Sequence, residues 1–120
     1  MSDVEILSGR PRHSLDELRR VVAVACHRAG ATRAILFGSY ARGSADAYSD
    51  LDLLVVCATE LPFLDRFRLF EDVLDAFPGS DLLVYTPAEV EELRDAGVVS
   101  EALREGIVVY EASGNASGSR

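Results

Sequence analysis

Cysteine is scarce in this chain, with two residues, Cys26 and Cys57, among 120. Each lies inside an apolar segment, and neither belongs to a CxxC pair or a Cys/His cluster. Nothing therefore points to structural zinc or a disulfide framework, and both are expected as buried small hydrophobes in a reducing compartment. His13 and His27 stand apart from each other and from the cysteines, and read as structural or solvated. Basic charge is also short: 12 Lys and Arg against 20 Asp and Glu leave a formal net charge of −8. Such a balance carries no footprint for sliding on nucleic acid and argues against an extended DNA or RNA interface. It does not argue against a mononucleotide held through metal ions. No run of 18 apolar residues occurs, so no membrane-spanning helix is expected, and residues 1–10 lack the apolar stretch of a secretory signal. The expectation is a cytoplasmic protein. Internal repeats and domain-sized linkers are absent too.

What the chain does have is enough apolar material, 48% of residues, to build one core without covalent staples. Residues 1–12 read as a flexible lead-in, 13–111 as one domain, and 112–120 (ASGNASGSR) as a disordered tail. Ser14 and Glu17 fit a capping box ahead of apolar residues at helical spacing, Leu15 to Ala29, with Gly30 placed to end the helix. Thr32 to Phe37 is a buried strand, Ser39 to about Ala45 a brief helix, Asp46 to Ser49 a loop and Asp50 to Cys57 a strand. Leu61 to Phe77 reads as a second long helix with Phe63, Leu64, Phe67, Phe70, Val73, Leu74 and Phe77 on its apolar face. Asp81 to Tyr85 is the next strand. Thr86-Pro87-Ala88-Glu89 is a capping box with proline at the first helical position, opening a helix to about Ala96. A short helix over Val98 to Glu105 and a strand over Ile107 to Tyr110 complete the domain. Alternating helices and strands predict an α/β (α+β) fold, a small mixed sheet with helices packed against it.

The chemistry concentrates between Ile35 and Val56. Asp50 and Asp52, two apart on a strand, leave the same face with backbone positions roughly 6–7 Å apart. Carboxylates that close repel unless a cation lies between them, and magnesium prefers carboxylate and phosphate oxygens. Alone, an Asp-x-Asp more often decorates an exposed strand end. Gly38-Ser39 adds to it: glycine after a buried strand permits a sharp turn and close backbone approach to a ligand, and Ser39 opens a helix where phosphate is favoured. Gly-Ser by itself is uninformative, since Gly79-Ser80 repeats it. Together the two elements put a phosphate cradle and a metal site on adjacent strands.

The composite pattern, Gly38-Ser39-Tyr40-Ala41-Arg42-Gly43 followed by Ser49-Asp50-Leu51-Asp52-Leu53, resembles the polymerase-β-like nucleotidyltransferase superfamily, and within it the minimal (MNT) nucleotidyltransferase domains. The likeness continues through Asp81-Leu82-Leu83-Val84 and Arg104 to Glu111, covering roughly Ser14 to Glu111. The resemblance implies that Asp50 and Asp52 hold Mg2+, two ions in this family, and that Gly38 and Ser39 hold the triphosphate of ATP. It implies that Asp81 is the third carboxylate, binding the catalytic metal and activating the acceptor hydroxyl, although a lone Asp after Pro-Gly-Ser can equally be a turn residue. Arg42 could reach phosphate, or be a solvated helix-surface arginine; Asp46 reads as merely polar. Larger relatives carry a further domain for the acceptor, so here the acceptor surface must come from a homo- or hetero-oligomeric partner. Chains of this size resemble antitoxins of HEPN/MNT pairs, which implies a HEPN ribonuclease toxin as partner and a tyrosine of that toxin as acceptor of AMP. Two alternatives stay open: an antitoxin or regulatory subunit that acts by binding alone, and nucleotidyl transfer to a small molecule such as an aminoglycoside.

Overall fold

The structure, a computed structural model, describes residues 13–112. The lead-in expected over 1–12 and the tail expected from 112, apart from Ala112 itself, lie outside these residues. Helix α1 (Leu15–Ala29) begins where Ser14 accepts a hydrogen bond from the Glu17 N–H and ends at Gly30, whose φ of 77° is the left-handed stop glycine supplies. Strand β1 (Arg33–Phe37) leads into the single turn α2 (Ser39–Arg42), and β2 (Asp52–Val56) follows a loop. A 3₁₀ segment (Phe63–Phe70) runs into α3 (Glu71–Ala76). Strand β3 (Asp81–Tyr85), α4 (Pro87–Leu93), α5 (Gly97–Glu105) and β4 (Ile107–Glu111) complete the chain.

The four strands lie in the order β3-β2-β1-β4. β1 pairs antiparallel with β2 and β4, and β2 pairs parallel with β3, so the sheet is mixed, as the sequence suggests. Because side chains alternate along a strand, each central strand feeds two cores. Ala34, Leu36, Leu53 and Val55 pack against α1 and against Phe70, Val73 and Phe77; Ile35, Phe37, Leu54 and Val56 pack against Val99 and Ala102 of α5. Burial on both faces explains why these strands read as continuous apolar runs. Cys26 and Cys57 are both buried in the first core, as expected, and burial pushes the Cys26 thiol up to about 12.

The structure corrects the sequence reading at several places. The helix expected over Leu61 to Phe77 is two elements, broken at Phe70, whose φ −130° and ψ 35° leave the helical region. The first of the two carries Arg66, an unforeseen buried cation. Its guanidinium donates to the carbonyls of Leu61 and Val84 and to both carboxylate oxygens of Glu89, tying the segment to β3 and α4. Of the expected apolar face, Phe70, Val73 and Phe77 are buried, whereas Phe63, Leu64 and Phe67 are 39%, 81% and 41% exposed. The brief helix after β1 ends at Arg42 rather than near Ala45, because Gly43 turns left-handed at φ 78°. α4 stops at Leu93, short of Ala96. Ala112, assigned to the tail, still donates its N–H to the Thr32 carbonyl at 3.0 Å.

Candidate active site

The site lies at the end of the sheet where β1 finishes and β2 and β3 begin. Phe37 is paired with Asp52 across the antiparallel β1–β2 ladder, and Asp52 is in register with Asp81 across the parallel β2–β3 ladder. Register thus makes the two aspartates cross-strand neighbours on one face, although 29 positions of sequence separate them.

Asp50 precedes β2 rather than standing on it, because the strand expected from Asp50 begins at Asp52. Its loop is closed by Asp46, whose carboxylate accepts from the Tyr48 N–H at 2.9 Å and the Ser49 hydroxyl at 3.2 Å, while Ser49 Oγ accepts from the Asp46 N–H at 2.8 Å. Asp46, read as merely polar, therefore shapes the approach to the pair. Between the two aspartates Leu51 is buried, and its carbonyl accepts from the Asp81 N–H at 2.7 Å. This anchor keeps Asp50 beside the cleft without a strand beneath it.

Gly38 sits at φ 75°, ψ −151°, a conformation essentially confined to glycine, and a Cβ on it would overlap the Asp52 Oδ2 atom. Glycine is required here twice over, by backbone and by space. Gly38 also caps α2, so Ser39 is the first residue of the helix rather than its cap.

One cleft of about 720 Å³ gathers all six expected residues, Gly38, Ser39, Arg42, Asp50, Asp52 and Asp81. The structure adds others the sequence reading missed, chiefly Glu101 on α5 and Phe67 and Leu74 from the segment beside β3. Neither Glu101 nor Phe67 carried a local signal: each follows the ordinary pattern of its own helix, and only the sheet order brings both to this cleft. Arg42 Nη1 lies 3.6 Å from Glu101 Oε2, half-exposed, so the guanidinium leans over the cleft toward α5.

Asp52 shows what the cleft is suited to. Burial foremost pushes its carboxyl up to about 6, helped by hydrogen bonding to Asp81 and by the charges of Asp81, Asp50 and Glu101. Such crowding of acidic groups in a partly dehydrated spot favours either a shared proton or a cation. The all-oxygen donor set suits a hard divalent ion such as Mg2+, which keeps waters and phosphate oxygens among its ligands. Among the described residues no group of three or more His, Cys, Asp or Glu side chains is placed to hold a metal ion by itself. The in-register Asp52–Asp81 pair, with water and phosphate oxygens completing the ligand set, is the kind of open site these residues fit.

Comparison with known proteins bears on the family and the fold. A family model described as nucleotidyltransferase domain matches residues 18–111. One Methanocaldococcus jannaschii protein, provisionally named protein adenylyltransferase MJ0435, is 31% identical over 93 residues, spanning 75% of this chain and 96% of its own. A second from that organism, provisionally named protein adenylyltransferase MJ1305, is 53% identical over 45 residues, 36% of this chain. This match covers only 30% of the second relative's length. Among solved structures, a complex of a tri-AMPylated Shewanella oneidensis HEPN toxin with its MNT antitoxin shares the fold, with a TM-score of 0.52 and 18% identity, covering 87% of this chain and 78% of that one. No helix among the described residues is long and apolar enough to cross a membrane.

Proposed function

The chain belongs to the nucleotidyltransferase domain family, and from that premise we propose that it is a magnesium-dependent protein adenylyltransferase, an MNT antitoxin moving AMP from ATP to a tyrosine of a HEPN ribonuclease toxin. The observation that carries the reading is the meeting of Asp52 and Asp81 in register beside Gly38, in one cleft with Asp50, Ser39 and Arg42. The names borne by its relatives, and the AMPylated toxin held by a structural neighbour, support the same assignment.

In this reading Gly38 and Ser39 cradle the triphosphate through backbone N–H groups and a hydroxyl, and Arg42 lends positive charge to it. Asp50, Asp52 and Asp81 would hold the Mg2+ ions, two of them, which supply charge neutralisation at the attacking and leaving oxygens. The acceptor hydroxyl oxygen bonds to the α-phosphorus as the bond from that phosphorus to the β-phosphate oxygen breaks. Pyrophosphate leaves with the electron pair, and Asp81 takes the hydroxyl proton. The chain supplies positioning and electrostatics, which is most of what phosphoryl-type transfer requires. Domain limits at 13 and 111 and a cytoplasmic location belong to the same proposal.

The test incubates the protein with magnesium, host-cell extract and ATP labelled on either the α- or the γ-phosphate, with the Asp50→Asn/Asp52→Asn double variant alongside. Label entering a protein from the α position only, and absent with the variant, is the expected result, and mass spectrometry then locates the modified residue. No transfer, with a partner still captured by both forms, would replace this reading with an antitoxin that acts by binding alone.

A further inference from the structure

The sheet order gives the cleft two ends built from different elements. At one end β1, α2 and α5 contribute Gly38, Ser39, Arg42 and Glu101; at the other, beyond the Asp52–Asp81 pair, the 3₁₀ segment and α3 contribute Phe67 and Leu74 beside the outer strand β3. Phe37 and Val98 also line the first end, and Ser80 the second, but Arg42 and Glu101 stand only at the first and Phe67 only at the second. In-line displacement places the attacking and leaving oxygens on opposite sides of the phosphorus. If the triphosphate lies on Gly38 and Ser39, the acceptor must come from the other side, over Asp81 and Phe67.

Phe67 is built for contact rather than for the core. Its neighbour Arg66 is clamped by hydrogen bonds to Leu61, Val84 and Glu89, and Phe70, one 3₁₀ turn later, is only 1% exposed. The backbone under Phe67 is therefore held from both sides, while 41% of the residue remains open to solvent at the wall of the cleft. A 3₁₀ run of eight residues is itself unusual, since such helices seldom exceed three or four. A rigidly mounted, half-open aromatic ring is a platform for another ring, through offset or edge-to-face packing.

We infer that Phe67 is the acceptor-side specificity residue, its ring receiving the aromatic side chain of the acceptor and selecting a phenol over an aliphatic hydroxyl. The inference rests on the adenylyl-transfer reading above and extends it to the acceptor's chemistry. Tyrosine offers both the ring to stack and a hydroxyl of pKa about 10, within easier reach of a carboxylate base than the hydroxyl of serine. The phenol oxygen forms the new bond to the α-phosphorus, its proton passes to Asp81, and pyrophosphate departs with the electrons of the broken bond.

Binding can be read without turnover. In saturation-transfer NMR with magnesium and α,β-methylene-ATP, the probes are N-acetyl-tyrosinamide and N-acetyl-serinamide, tested on the unaltered chain, Phe67→Ala, Phe67→Tyr and Leu64→Ala. The expected result is preference for the tyrosine probe, weakened about tenfold in Phe67→Ala, recovered in Phe67→Tyr and unaltered in Leu64→Ala, with nucleotide affinity constant throughout. Equal binding of the two probes, or an unaltered tyrosine probe in Phe67→Ala, would overturn the inference. So would a loss of nucleotide affinity instead, which would put the adenine base on this ring. Transfer from α-labelled ATP to the tyrosine probe is measured separately. Its absence, with Phe67-dependent binding intact, would count against the chemistry proposed above and leave the aromatic subsite standing.

Discussion

At the scale of single residues, the site depends on one position that has no side chain. Gly38 combines a glycine-only backbone conformation with direct contact against Asp52. Gly38→Ala is expected to cost about 1–3 kcal/mol of stability from backbone strain and, in addition, to displace the Asp52 carboxylate and abolish binding of magnesium with a nucleotide. Gly30→Ala supplies the comparison: its φ is likewise positive, at 77°, but a Cβ there meets nothing within 4 Å. That variant, in the left-handed helical region, should lose about 1–2 kcal/mol and keep nucleotide binding. Thermal unfolding together with titration calorimetry separates the two effects; equal loss of binding in both variants would mean that strain, not contact with Asp52, governs the site. Asp50, Asp52, Gly38 and Ser39 were legible in the sequence because a turn glycine and paired carboxylates announce themselves within fifteen positions. Glu101 and Phe67 were not, since an acidic residue on a helix and a phenylalanine in an apolar stripe are what any amphipathic helix contains.

At the scale of elements, the Arg66–Glu89 pair shows how a local motif is put to a tertiary use. Glu89 closes the capping box of α4 by accepting from the Thr86 N–H, and the same carboxylate holds the Arg66 guanidinium of the 3₁₀ segment. Hydrogen bonding to Arg66, then to the Thr86 backbone, holds the Glu89 carboxyl below its ordinary value. A carboxyl whose pKa is depressed by folding binds its proton more weakly in the folded chain than in the unfolded one. Its contribution is therefore complete above the ordinary carboxylate value and is lost as pH falls through the depressed one. Glu89→Gln should cost roughly 1–3 kcal/mol near neutrality and should flatten the loss of stability on acidification in that window. Urea unfolding at a series of pH values measures both. An unchanged acid limb would show that other carboxylates set it. The capping box could be read from four consecutive residues, whereas the pairing with Arg66 could not, because 23 positions separate the partners and arginine is usually a surface residue.

At the scale of the whole molecule, site and fold are tied together because the cleft is assembled from three strand ends and the helices beside them. A ligand that neutralises Asp52 and its neighbours should therefore stabilise the entire domain. Magnesium with α,β-methylene-ATP at a hundred times its dissociation constant is expected to add about 2.7 kcal/mol to the free energy of unfolding, seen as a rise in Tm, and to add nothing in Asp52→Asn. Nucleotide without magnesium should stabilise the native chain far less; an equal rise with chelator present would place the nucleotide on the protein without a metal. The sequence by itself determined the order of helices and strands, the mixed α/β class, the stop at Gly30 and the identity of the acidic pair, since each follows from residues within one or two turns of chain. Only the tertiary structure decided that Asp81 faces Asp52, that Asp50 stands in a loop anchored by Leu51, that Arg66 is buried, and that Phe67 opens onto the cleft. Those outcomes depend on strand order and register, which arise from packing two apolar faces at once and leave no mark on neighbouring residues.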